Sequence, residues 1–216
     1  CDNFPDETLL HGLQNIGSSV KSLELNYCNL YIDEFLKILN ETSHLTSLSL
    51  IHSKILEKPQ RLLNFESLTH LKLVESEIEL EFLENANALR EVHIEVNDTN
   101  TVDLASFQTI LFRQTNLKSL VMINLRLSNL FDDASQACRF QLESLNVVNC
   151  HFKSKENFEL FIERQRALFD VEISINAMKL GLDRMRYFDG ILERLMCKKI
   201  VKTFALNIEN YNFINF

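Results

Sequence analysis

One pattern recurs along nearly the whole chain and restricts its fold more than any other feature. An apolar residue, two variable positions and an apolar-x-apolar pair are followed by a small polar residue or Cys. The copies begin with Val20-Leu23-Leu25 (then Cys28 and Leu30), Leu45-Leu48-Leu50 (Ser53, Ile55) and Leu68-Leu71-Leu73 (Ser76, Ile78). Leu89-Val92-Ile94 with Asn97 comes next, then Leu117-Leu120-Met122, continuing to Leu125 and Leu127. Leu142-Leu145-Val147 (Cys150, Phe152), Leu168-Val171-Ile173 (Asn176, Met178) and a looser Val201-Phe204-Leu206 complete the series. Successive copies start 25, 23, 21, 28, 25, 26 and 33 residues apart. Self-similarity at such a period marks stacked supersecondary units, none of which buries its apolar side alone.

The spacing dictates the structure of each unit. The apolar-x-apolar core predicts a short strand whose alternate side chains point inward. The Cys, Ser or Asn after it falls where the chain leaves the strand, and its short side chain is able to hydrogen-bond the loop backbone. Several return segments read as helices with one apolar stripe. These are residues 31–41 with Phe35, Leu36 and Leu39, and residues 103–114 with Phe107, Ile110 and Leu111. Residues 153–167 offer Phe158, Phe161 and Ile162, and residues 183–199 offer Met185, Phe188, Leu192, Leu195 and Met196. Asp183 suits the positive start of that last helix, and Lys198 and Lys199 its negative end. The interval from Leu68 to Leu89 has room only for a short helical turn. Pro5 with Leu9, Leu10, Leu13 and Ile16 reads as the helix of a preceding unit or a cap. The apolar residues 211–216 read as a closing cap or a junction to further chain.

This pattern resembles the leucine-rich repeat. The resemblance implies an α/β fold, a solenoid or horseshoe with a parallel concave sheet of about eight strands and helices on the convex side. It spans the chain as a single domain: residues 1–19 a cap or partial repeat, 20–200 the repeats, 201–216 the last strand and C-terminal cap. The spacing, the Cys/Ser/Asn position and the helical returns are similar to the repeat region of F-box proteins with leucine-rich repeats. That resemblance implies substrate recognition for an SCF-type ubiquitin ligase. The Skp adaptor would be contacted through an F-box upstream of Cys1. The alternative is a non-catalytic repeat scaffold or inhibitor unrelated to ubiquitin, although such inhibitors tend to alternate two regular repeat lengths.

Composition narrows the remaining classes. A hydrophobic share of 46% with 24% charged residues excludes a disordered chain. Only 4 Gly and 2 Pro are present, which argues against Gly-rich phosphate loops and flexible linkers. The formal net charge of −8 gives no bulk attraction to nucleic acid or anionic lipid. No apolar run reaches the roughly 18 residues of a membrane span, so neither nucleic acid nor a membrane is expected as partner. Cys1, Cys28, Cys138, Cys150 and Cys197 are odd in number and scattered, which predicts reduced thiols in a cytoplasmic or nuclear compartment. The opening residues predict no signal peptide, and a start on Cys1 points to a piece of a longer protein.

No G-x-S-x-G, H-E-x-x-H, P-loop or dinucleotide fingerprint occurs, so neither an enzyme nor a cofactor is expected. His70 and His93 fall on neighbouring predicted strands near Glu91 and Glu95, a set able to ligate a metal. Solvated side chains on an open sheet are the expectation there, with no metal. Cys28 and Cys150 hold the small-residue position, so packing is their expected role.

The candidate site is the concave sheet face. Its row after the second core residue reads Asn26, Ile51, Val74, Glu95, Ile123, Val148, Ser174 and Asn207. The row between the core residues reads Glu24, Ser49, Lys72, His93, Val121, Asn146, Glu172 and Ala205. Ile51 with Val74, and Ile123 with Val121 and Val148, form two apolar patches flanked by Glu91, Glu95, Asp170 and Glu172. A protein or peptide partner is expected to meet Ile51, Val74, Lys72, Glu91, His93, Glu95, Val121, Ile123, Val148 and Glu172. The competing account is that β-branched residues favour strands by propensity alone.

Overall fold

The computed structural model describes residues 17–42, 44–56, 65–97, 104–127, 138–152, 155–176 and 203–209. A 3₁₀ turn, Gly17–Ser19, leads into β1 (Ser22–Asn26) and β2 (Asn29–Tyr31). There follow β3 (Ser47–Ile51), β4 (Lys54–Leu56), β5 (His70–Val74), β6 (Glu91–Glu95), β7 (Ser119–Ile123) and β8 (Arg126–Leu127). The chain continues through β9 (Ser144–Val148), β10 (His151–Phe152), β11 (Asp170–Asn176) and β12 (Thr203–Glu209). The fold is α/β around an 8-stranded sheet ordered β1-β3-β5-β6-β7-β9-β11-β12, every pair parallel.

The register follows the repeat. Leu23, Leu48, Leu71, Val92, Leu120, Leu145, Val171 and Phe204 stand opposite one another in turn. Leu25, Leu50, Leu73, Ile94, Met122, Val147 and Ile173 form a second inner row and are all buried. A slip of one residue would turn every one of these side chains to the opposite face, so burial locks the register.

Spatial order equals chain order, so no strand crosses back over another. Parallel neighbours in chain order need a crossover between each pair, and such crossovers are right-handed as a rule. The face opposite the inner rows keeps alternate residues half-exposed along β5, β6, β7 and β9. Beyond the main strands, β2 pairs with β4 and β8 with β10 as two short parallel ribbons. Their registers set Leu30 opposite Ile55 and Leu127 opposite Phe152.

The returns contain helices α1 (Ile32–Glu41), α2 (Leu104–Arg113) and α3 (Lys155–Arg164). Asp33 and Glu34 favour the start of α1, where the Tyr31 amide donates to Glu34 Oε2 at 3.0 Å. Its buried stripe is Phe35, Ile38 and Leu39; the expected Leu36 sits on the flank, only partly buried. Phe107, Ile110 and Leu111 of α2 and Phe158, Phe161 and Ile162 of α3 are buried as their spacing requires. The short interval between β5 and β6 folds as a 3₁₀ turn, Leu80–Leu83, and its Phe82 meets Phe35 edge-on at 5.8 Å. The helices expected at residues 4–17 and 183–199 and the cap at 211–216 lie outside the described residues, apart from Gly17.

Two polar devices, neither of them apolar packing, close the loops. The first is a spine at the small-residue position. The Cys28 amide donates to Ser53 Oγ at 3.1 Å, and the Ser53 amide to Ser76 Oγ at 3.0 Å. Each side chain also reaches the carbonyl two residues back: Cys28 to Asn26, Ser53 to Ile51, Ser76 to Val74 and Cys150 to Val148. The second is a side chain directly after each helix. Thr42 Oγ1 lies 3.1 Å from the Ile38 carbonyl, satisfying the end of α1. Gln114, fully buried, donates Nε2–H to Ile110 O at 2.8 Å and to Ala86 O at 2.6 Å. Its Oε1 accepts from the Leu89 amide at 3.0 Å, and Gln165 Oε1 takes the Leu142 amide in the same way at 2.8 Å. Each glutamine ties a helix end to the loop of the preceding unit.

Gln114→Ala therefore strands one amide and two carbonyls in the core. It is expected to cost about 3 kcal/mol, seen as a melting temperature lower by about 6–12 °C. Exposed Asn116→Ala should stay within about 0.5 kcal/mol of the parent.

Candidate functional site

The half-exposed sheet face carries every residue expected at the site, in register. Along one row Ile51 stands opposite Val74, Val74 opposite Glu95, Glu95 opposite Ile123, and Ile123 opposite Val148. Along the next, Lys72 stands opposite His93, His93 opposite Val121, Val121 opposite Asn146, and Asn146 opposite Glu172. Glu91 lies on the first row of β6 between His70 and Ser119. Val121, Ile123 and Val148 are thus contiguous on β7 and β9, while Ile51 and Val74 form a second pair beyond Glu95. All five aliphatics are half-buried, because neighbouring side chains on adjacent strands shield their flanks.

Polar contacts order the carboxylates around these patches. His93 Nε2 lies 3.7 Å from Glu95 Oε2, and His70 Nε2 lies 3.5 Å from Glu91 Oε1. Asn146 donates Nδ2–H to Glu172 Oε2 at 2.9 Å, and the Ser144 hydroxyl reaches Asp170 Oδ2 at 3.5 Å. Burial lowers the pKa of His93, the Lys72 ammonium lowers it further, and Glu95 only partly opposes them. At 3.7 Å the Glu95 contact is an ion-pair distance and too long for a hydrogen bond, so His93 Nε2 has no hydrogen-bond partner among the described residues.

A feature the repeat pattern did not announce borders this face. Tyr27, His52, Glu75, Asn124 and Asn149, each the first residue after its strand, have φ of 53°, 47°, 45°, 60° and 51°. Within this left-handed turn each amide also extends the ladder by one bond. Tyr27 N–H reaches Ile51 O at 2.9 Å, His52 N–H reaches Val74 O at 2.8 Å, and Glu75 N–H reaches Glu95 O at 2.7 Å. It then swings the next residue into the spine. Asn adopts this conformation readily and was a legible signal at positions 124 and 149; Tyr and Glu do not, and gave none. The Tyr27 ring, 65% exposed, stacks on His52 at 4.7 Å, and His52 Nδ1 lies 3.0 Å from Glu75 Oε2.

Among the described residues, no group of three or more His, Cys, Asp or Glu could hold a metal ion. Burial pushes the thiols of Cys28 and Cys138 up, and that of Cys150 up to about 12. Cys150 as a whole is half-buried, but its sulfur is turned inward, 3.3 Å from the Met122 carbonyl. That is the inert environment of a packing cysteine. No helix among the described residues is long and apolar enough to cross a membrane. No protein-family model matches the chain, and no curated protein matches it significantly.

Two outcomes follow from these environments. At pH 8 the buried Cys150 thiol, pushed up to about 12, stays almost wholly protonated, whereas roughly a quarter of an ordinary thiol is ionised. Iodoacetamide should therefore leave it unmodified in the folded protein and label it in urea, as read by peptide mass mapping. For His93 the unfolded chain holds more protons wherever pH lies between its ordinary value of about 6.5 and the lower folded value. Stability should fall as pH drops below that ordinary value, and urea melts at pH 7.5 and 5 should show a smaller loss for His93→Gln.

Proposed function

We propose that the chain is a leucine-rich-repeat solenoid that binds a protein or peptide on its concave sheet face. In this reading the sheet curves into a horseshoe, because helices are wider than strands and the returns would share one side. The observation that carries the reading is the unbroken parallel ladder in chain order, with its second face lined by half-buried aliphatics. An all-parallel sheet ordinarily has both faces covered. Here the return side is dry and the other side holds Val121, Ile123 and Val148 at a shared surface. Long shallow surfaces of this kind suit macromolecules better than small molecules.

The spacing of the units and their Cys/Ser/Asn position support a place among substrate-recognition repeats of SCF-type ubiquitin ligases. In that role the Skp adaptor is met only through an F-box upstream of these residues, and the protein works in the cytoplasm or nucleus. The face holds its partner without chemistry, metal or cofactor.

The test is Ile123→Asp with Val148→Asp. Peptides selected from a displayed random library on the parent chain should bind the double variant at least about tenfold more weakly, with far-UV circular dichroism unchanged. Retained affinity would place binding elsewhere. Should the aspartates unfold the chain, Ile123→Ser with Val148→Ser separates the core role from the surface role.

A further inference from the structure

We infer that the partner segment is basic–x–aliphatic–x–basic in extended conformation, laid across strands β6 to β11; this rests on the peptide-binding reading above. The face has two acidic walls. One is β6, with Glu91 and Glu95, and the other is β11, with Asp170 and Glu172. Between them β7 and β9 supply an aliphatic floor of Val121, Ile123 and Val148. Over the described outward positions of the sheet face, Lys72 is the one ammonium or guanidinium, and it lies on β5, outside the walls. Charge complementarity therefore calls for a cationic partner here, and the floor calls for an apolar side chain between its charges.

The spacing sets the pattern. Glu95 on β6 and Glu172 on β11 stand on adjacent rows, with Ile123, Val121 and Val148 of β7 and β9 between them. Three strand intervals of about 4.8 Å place the walls roughly 14 Å apart. An extended peptide advances about 3.3 Å per residue, so residues i and i+4 span about 13 Å. In such a peptide i, i+2 and i+4 point to one side. Arg or Lys at i and i+4 then reaches the two walls while the residue at i+2 drops onto the floor. Arg suits the task because its planar fork meets a carboxylate bidentately and its stem covers apolar surface.

The probe is a fluorescein-labelled Gly-Arg-Ser-Val-Ser-Arg-Gly peptide, titrated against the full chain by anisotropy beside a Glu-for-Arg and a Ser-for-Arg analogue. The basic peptide should bind at least about tenfold more tightly than either, and the margin should shrink with added salt. Glu91→Lys with Asp170→Lys should lose that preference and gain the Glu peptide; the milder Glu95→Gln with Glu172→Gln should weaken the Arg peptide while melting like the parent. Equal binding of all three peptides, lost in Ile123→Asp with Val148→Asp, would overturn the cationic class and leave the binding face standing. Arg-peptide binding indifferent to all four acidic positions would overturn it too. So would absence of binding up to about 1 mM, whereas the library selection decides the broader reading separately.

Discussion

The structure depends on mutual burial between adjacent strands held in register. Leu120 and Met122, for example, are sealed by Val92 and Ile94 on one side and by Leu145 and Val147 on the other. No strand has a dry environment of its own, so each unit exists because its neighbours do. Variation in unit length, from 21 to 33 residues, is absorbed entirely in the returns. Where the interval is shortest, a 3₁₀ turn replaces an α-helix, and Leu80, Phe82 and Leu83 still fill the space. The sheet tolerates these differences because only the inner rows must match.

Stacking of this kind brings polar backbone into dry surroundings at both ends of every strand, and unpaired groups there would be costly. Ser53 and Ser76 satisfy neighbouring amides at the C-terminal ends, while Gln114 and Gln165 do so behind α2 and α3. The left-handed residues belong to the same solution. A bulky side chain in that conformation costs about 1–2 kcal/mol, yet Tyr27, His52 and Glu75 each gain a ladder hydrogen bond and position the spine. Val96 makes the equivalent bond to Ile123 O at 3.1 Å without being among the left-handed residues, so the ladder bond is the common requirement.

The consequence for function is a face that packing leaves available. Strand order without reversal offers no topological switch point, the place where open α/β sheets form small-molecule crevices. What it offers is breadth, with aliphatic and acidic side chains set out at strand spacing. Neighbours hold those side chains half-buried and hydrogen-bonded, as with Asn146 and Glu172, so little ordering remains to be done when a partner arrives.

Periodicity alone determined the strands of the main sheet, their order, their register and which of their residues face inward, because a two-residue alternation repeated in every unit has one consistent way to bury itself; the ribbons β2–β4 and β8–β10 were not legible in it. It likewise placed Ile51, Val74, Glu95, Ile123 and Val148 in one line, since register transfers sequence position directly into space. Three further things came only from the tertiary structure. The burial of Ile38 in place of Leu36 depends on how α1 is rotated against the sheet. The roles of Gln114 and Gln165 depend on which orphaned backbone groups the adjacent unit presents. The left-handed turns at Tyr27, His52 and Glu75 run against local preference and exist because each delivers the following residue, Cys28, Ser53 or Ser76, to the spine shared with the adjacent unit. Apolar pattern is written within one unit, whereas hydrogen-bond partners and helix rotation belong to the meeting of two.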